Sequence, residues 1–133
     1  MAKGGDGYCF GCGEKNPIGL HLHFEPDGEK VSARKILARE YEGYKDIVHG
    51  GIVTLLLDEA MGNYIQQKYD EQAVTGRLEV RYRHPTPIEQ ELKISAWKDG
   101  QRKNVLSMKA TVETPEGLVT AEATAKFVVV SLS

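Results

Sequence analysis

The sequence predicts an α+β fold in which one long central helix is wrapped by an antiparallel sheet of about five to six strands. Three observations carry this. Only one segment, from His49 to about Tyr69, has helical character, and it is apolar from Ile52 to Leu57 except for Thr54, so other elements must cover it. Every other segment reads as strand or turn. The links between the last four strands are short, which forces antiparallel pairing against the lone helix.

Taken in order, residues 1 to 8 are glycine-rich, and Cys9-Phe10-Gly11-Cys12-Gly13 forms a tight turn leading to Asn16-Pro17-Ile18-Gly19. Leu20, Leu22 and Phe24 then alternate with His21, His23 and Glu25, the period of a half-buried strand, and Pro26-Asp27-Gly28 turns the chain. A second strand runs from Lys30 to Ala38, with a break of alternation at Lys35-Ile36-Leu37 that fits a bulge. Arg39 to Val48 is a polar connection with tyrosines at 41 and 44, and it delivers the chain to the helix.

After Asp70 the period becomes two. Val74, Gly76, Leu78, Val80 and Tyr82 alternate with Thr75, Arg77, Glu79, Arg81 and Arg83, and His84-Pro85-Thr86-Pro87 ends that strand. A fourth strand spans about Glu91 to Lys98, with Asp99-Gly100 as the expected hairpin turn, and a fifth spans about Lys103 to Glu113. Pro115-Glu116-Gly117 turns the chain into a sixth, from Leu118 to Val130. There Val119, Ala121, Ala123, Ala125, Phe127 and Val129 share one face. The small residues among them suit close packing against the helix.

The chain has 133 residues, 41% apolar and 27% charged, which suits one folded domain, 1–133, with residues 1–18 as a cysteine-containing extension. A net charge of −2 gives no basis for a nucleic-acid partner. No stretch reaches the roughly 18 apolar residues of a membrane span. Met1-Ala2-Lys3-Gly4-Gly5-Asp6 lacks the apolar core of a secretion signal, so the expected location is the cytoplasm. Two cysteines, Cys9 and Cys12, are too few for a disulfide scaffold and are spaced like half of a metal or redox site.

The helix start His49-Gly50-Gly51, the segment Leu57-Asp58-Glu59-Ala60-Met61-Gly62, and the strand Val74 to Tyr82 followed by Arg83-His84-Pro85 together resemble one family. They are similar to the hotdog-fold acyl-CoA thioesterases of the PaaI-like, 4-hydroxybenzoyl-CoA thioesterase superfamily. The cysteine turn with Asn-Pro-Ile-Gly-Leu resembles the start of a subset of its uncharacterised members. The resemblance implies hydrolysis of an acyl-CoA thioester and a homodimer, with tetramers formed by pairing of dimers. Two sites would lie at the dimer interface, each taking a glycine amide from one chain and an acid from the other. Many relatives carry Asn or Gln six residues before the histidine, where this chain has Gly43.

Thioester hydrolysis needs donors that polarise the carbonyl and a carboxylate that attacks it or activates water. The leading N–H groups of a helix have no intrahelical partner and sit at its positive end, so Gly50 and Gly51 can supply the donors; the plainer alternative is that they merely turn the chain. Asp58 shares its helix face with Thr54, Leu55, Met61 and Gly62, a small and apolar stripe, so it is expected to be buried and to act as nucleophile or general base. The competing role is a structural carboxylate. Glu59 shares its face with Asn63 and Gln66 and reaches solvent more easily, as a substrate contact at the rim or a solvated helix residue. At about 1.5 Å per residue, Asp58 lies roughly 10 Å along the axis from Gly51, so two subunits must contribute if both act on one carbonyl.

Thr75 stands where the resemblance places a hydroxyl that holds the attacking water, or it is a threonine chosen for strand propensity. His49 bonds the thioester region or is a satisfied structural histidine. Arg77, Arg81 and Arg83 share a strand face and either bind coenzyme A phosphates or are simply solvated. No cofactor is expected, and no metal is assigned to the reaction. Cys9 and Cys12 remain open between free thiols, a redox pair and a zinc site completed by His21 and His23. Two other functions share this fold class: an acyl-CoA hydratase or dehydratase, and a non-catalytic acyl-binding module.

Overall fold

A computed structural model describes residues 6–130. Residues 1–5, which hold most of the stretch considered as a secretion signal, and 131–133 lie outside the described residues. The elements follow one another as β1 (Glu25–Asp27), β2 (Lys30–Ile36), a 3-10 turn (Arg39–Tyr41), α1 (Gly50–Tyr69), β3 (Gln72–Tyr82), β4 (Glu91–Arg102), β5 (Val105–Glu113) and β6 (Val119–Val130). All six strands form one antiparallel sheet in the order β1-β2-β4-β5-β6-β3, and α1 packs across β2 to β6. This is the hotdog arrangement.

The helix begins where expected because His49 caps it, its Nδ1 accepting from the Gly51 N–H at 2.9 Å. It stops at Asp70, which takes the left-handed conformation (φ 55°) and donates its N–H to Gln66 O, a backbone state that aspartate tolerates better than most residues. Val53, Leu56, Leu57, Ala60, Met61 and Ile65 are buried against the sheet, whose inner face carries Ile94, Leu106, Met108, Val112 and the alanines of β6. Burying each large side chain contributes roughly 1.5–3 kcal/mol. The opposite stripe, Gly51, Thr54, Leu55, Asp58 and Gly62, stays half-buried or open, so Asp58 is less enclosed than the periodicity implied. The sheet covers one side of α1 only.

Four strand details differ from expectation. Leu20, Leu22 and Phe24 are buried in alternation, but they belong to no strand, because Leu20 and Leu22 donate their N–H groups to Phe10 O and Gly11 O of the cysteine turn. β2 keeps an unbroken register from Val31↔Ala96 to Ile36↔Glu91, and the lost alternation marks its end: fully buried Leu37 follows as the chain leaves the sheet. The β4–β5 ladder continues past Asp99-Gly100 to Arg102↔Val105, so Asp99 is a bulge and Lys103-Asn104 form the turn, Lys103 with φ 58°. Continuing the ladder keeps Leu106 in the core, 1% exposed.

The fourth difference matters most for function. In β3 the register shifts between Thr75↔Phe127 and Arg77↔Lys126, leaving Gly76 as an extra residue. Side chains alternate faces, so one inserted residue exchanges them. Thr75 pairs with inward-facing Phe127, while Leu78 and Val80 pair with inward-facing Ala125 and Ala123. Thr75 therefore lies on the helix side of the sheet and not with the arginines.

Candidate active site

Because of that bulge, the Thr75 hydroxyl donates to Asp58 Oδ1 at 2.7 Å. The carboxylate sits on the half-open stripe of α1, and the threonine on the strand at the end of the sheet. Nothing in the described chain pairs with the outer edge of β3. An acid held by one hydroxyl beside an open surface can still accept from water or meet a substrate carbon.

At the other end of the stripe, Gly51 brings its amide to the helix start, where His49 Nδ1 now occupies it. A Cβ on Gly51 would lie 3.2 Å from that ring nitrogen, so glycine lets the imidazole fold over the first turn. A Cβ on Gly43 would come within 3.2 Å of His49 Cα, so a side chain there would crowd the residue that caps the helix. Tyr82 Oη donates to Gly50 O at 2.9 Å, and the Thr54 hydroxyl, 2.6 Å away, donates to Tyr82 in turn. This chain of bonds ties the end of β3 to the start of α1.

A groove of about 720 Å³ opens at the same place, lined among others by Tyr44, Val48, His49, Gly50, Tyr82 and His84. Tyr44, Tyr82 and His84 were not visible as site residues. Tyr82 reads in the sequence only as a strand's last inward side chain, and His84 only as part of a strand stop. Arg83 also lines the groove, paired with Glu122. Arg77 and Arg81 stand opposite Lys126 and Glu122 in the register, on the face of the sheet away from the helix, and Arg83 reaches the same Glu122 from that face. Of the three, only Arg83 lines this groove.

Glu59 has a different setting from the one expected. Its carboxylate lies 3.7–3.8 Å from Cys9 Sγ, and Asn63 Nδ2 donates to its Oε2 at 3.0 Å. The cysteine turn folds over this face of α1, so Glu59 is covered by the chain's own N-terminal segment. Burial, followed by hydrogen bonding to Glu59, pushes the Cys12 thiol well above its ordinary value of 9.0. The structure does not add His21 or His23 to this group: His21 Nε2 is 2.7 Å from Asn16 O, and His23 stands near Glu25 in the open.

No curated protein matches the sequence. Among solved structures, RHA08564, a thioesterase superfamily protein, superposes with a TM-score of 0.83 at 24% identity over 89% of this chain, which spans 61% of that protein's length. BH2602 from Bacillus halodurans, solved with CoA, gives 0.75 at 25% identity, covering 86% of this chain and 77% of that one. A hypothetical thioesterase protein from Streptococcus pneumoniae TIGR4, solved with coenzyme A, gives 0.75 at 19% identity and covers 83% and 89%. It was also solved with alanine in place of an aspartate and of a threonine. No described helix is long and apolar enough to cross a membrane. The model of the thioesterase superfamily matches residues 45–121, more than half of the sequence, from ahead of the helix cap to the start of β6, and the chain belongs to that superfamily.

Proposed function

We propose that the chain is an acyl-CoA thioesterase acting as a cytoplasmic homodimer, with Asp58 as the catalytic carboxylate and Thr75 as the residue that positions it. The observation that carries this reading is the 2.7 Å bond between them, which the bulge at Gly76 makes possible. As general base, Asp58 takes a proton from water while the water oxygen attacks the carbonyl carbon. The oxyanion that forms is held by the Gly51 amide of a second copy, where substrate oxygen replaces the His49 acceptor. Collapse breaks the C–S bond, and coenzyme A leaves as the thiol after taking up the proton. As nucleophile, Asp58 would attack the carbonyl itself, and water would release the acid from the resulting anhydride.

Three observations support a dimer and an acyl-CoA substrate. The open edge of β3 and the half-buried stripe of α1 lie side by side, the surface a second copy would need to cover. The groove beside Gly50 falls in the size range of small-molecule sites and would take the pantetheine arm or the acyl group, with Arg83 near the phosphates. The pneumococcal protein binds coenzyme A, and an aspartate and a threonine were the residues replaced in it. A hydratase reading would use His49 as the base, but its Nδ1 serves the helix cap.

Following free-thiol release from short-, medium- and long-chain and aromatic acyl-CoAs tests the activity. Release above the spontaneous rate with at least one of them is expected, and none with any would end this reading. Light scattering at micromolar concentration should give a dimer or tetramer; a monomer would remove the two-chain site.

A further inference from the structure

We infer that Cys9, Cys12 and Glu59 form a zinc site that fastens the N-terminal turn to the central helix. Within the described residues these three are the only group of such side chains whose ligand atoms gather, all within 4.8 Å of one another. They come from two segments 50 residues apart, so local chain geometry does not bring them together. Tetrahedral zinc, with sulfur at about 2.3 Å and oxygen at about 2.0–2.2 Å, sets its sulfur and oxygen ligands roughly 3.6 Å apart. The separations here, 3.7 and 3.8 Å from Cys9 Sγ to the two oxygens of Glu59, already match that edge.

The surroundings look built for this. A Cβ on Gly11 would lie 2.2 Å from Glu59 Oε1, and one on Gly13 would lie 2.3 Å from Cys9 N, so only glycines let the turn close on the carboxylate. The turn is itself held by Gly13 N–H donating to Cys9 O at 2.8 Å. Asn63, 6% exposed, donates to Glu59 Oε2 and also to Glu59 O, which orients the carboxylate as outer partners of metal ligands do. Cys12 and Asn63 also line a neighbouring cavity of about 160 Å³, together with His21 and His23. Binding converts both thiols to thiolates and releases their protons to solvent. The site lies one residue from Asp58 but on another face of α1, and it does not depend on the thioesterase reading.

The test is made on the full chain, purified under reducing conditions, loaded with Zn²⁺, desalted and analysed by native mass spectrometry and metal content. One zinc per chain is expected, and replacement by Co²⁺ should give thiolate-to-cobalt charge-transfer absorption. Cys9→Ser with Cys12→Ser should abolish retention. Glu59→Gln, which keeps the fold of the turn, should weaken zinc binding by about tenfold or more and change the cobalt spectrum. A chain that retains no zinc, or a cobalt spectrum without thiolate bands, overturns the site. Retention unaffected by Glu59→Gln but lost in His21→Ala or His23→Ala overturns this ligand set.

Discussion

Asp58 and Glu59 are consecutive acids on one helix, yet they live in different worlds. Asp58 faces the sheet's open edge, where a single hydroxyl from β3 holds one oxygen. Glu59, about 100° further round the helix, is enclosed by a cysteine turn and clamped by a buried asparagine. An acid with one donor and an open side is available for chemistry. One with several short-range partners is committed to holding structure.

The contrast predicts unequal outcomes for the same conservative change. Asp58→Asn should lower acyl-CoA hydrolysis by about 10² or more, the scale of a lost general base, with little change in KM. If that variant remains active and Glu59→Gln is dead, the two roles are exchanged. Steady-state rates on a single acyl-CoA decide it.

Next in size is the hydroxyl that distinguishes the Asp58 side. Thr75→Ala removes the donor to the carboxylate and should lower kcat by about tenfold, with Thr75→Ser restoring most of it. A threonine kept only for strand propensity would instead leave kcat unchanged and lower the Tm in both variants.

On the other side, Glu59→Gln should change hydrolysis by less than tenfold while lowering the Tm of the chain by several degrees. That is the size expected for about 1–2 kcal/mol lost around Asn63 and the thiols. Thermal scans with and without Zn²⁺ should show the larger zinc-induced rise in the unmodified chain.

The smallest expected effect is on pH dependence and belongs to the cysteine side alone. Cys12 has a folded value raised above its ordinary 9.0, so the folded chain holds that proton longer than the unfolded chain does. The associated stability is fully present below about pH 9 and is lost as pH rises from there toward the folded value. Metal-free protein should lose stability over that range in urea titrations, and Cys12→Ser should flatten the loss.

How the two acids divide was only partly legible. Helical periodicity correctly separates Asp58 from Glu59 onto different faces, but it assigns solvent to Glu59, because nothing along the helix announces that residues 9 to 13 will fold over it. The placing of Thr75 on the same face as Arg77, Arg81 and Arg83 fails for a related reason: strict alternation cannot register an extra residue, and Gly76 can be seen as a bulge only when its partner strand is in place. The same limit misplaced the Asp99-Gly100 turn.

By itself, then, the sequence determined what depends on neighbours along the chain. His49, the two glycines and Asp70 bound the helix, alternation defines most of the sheet, and the spacing from His49 to Asp58 points to the family. Tertiary structure decided what depends on pairing between distant segments: the bulge that turns Thr75 to Asp58, and the turn that brings two thiols to Glu59. The physical reason is range. Capping and amphipathicity are satisfied within a few residues, whereas register shifts and the covering of one helix face are chosen by contacts between segments distant in the chain, such as Thr75 with Phe127 and Cys9 with Glu59.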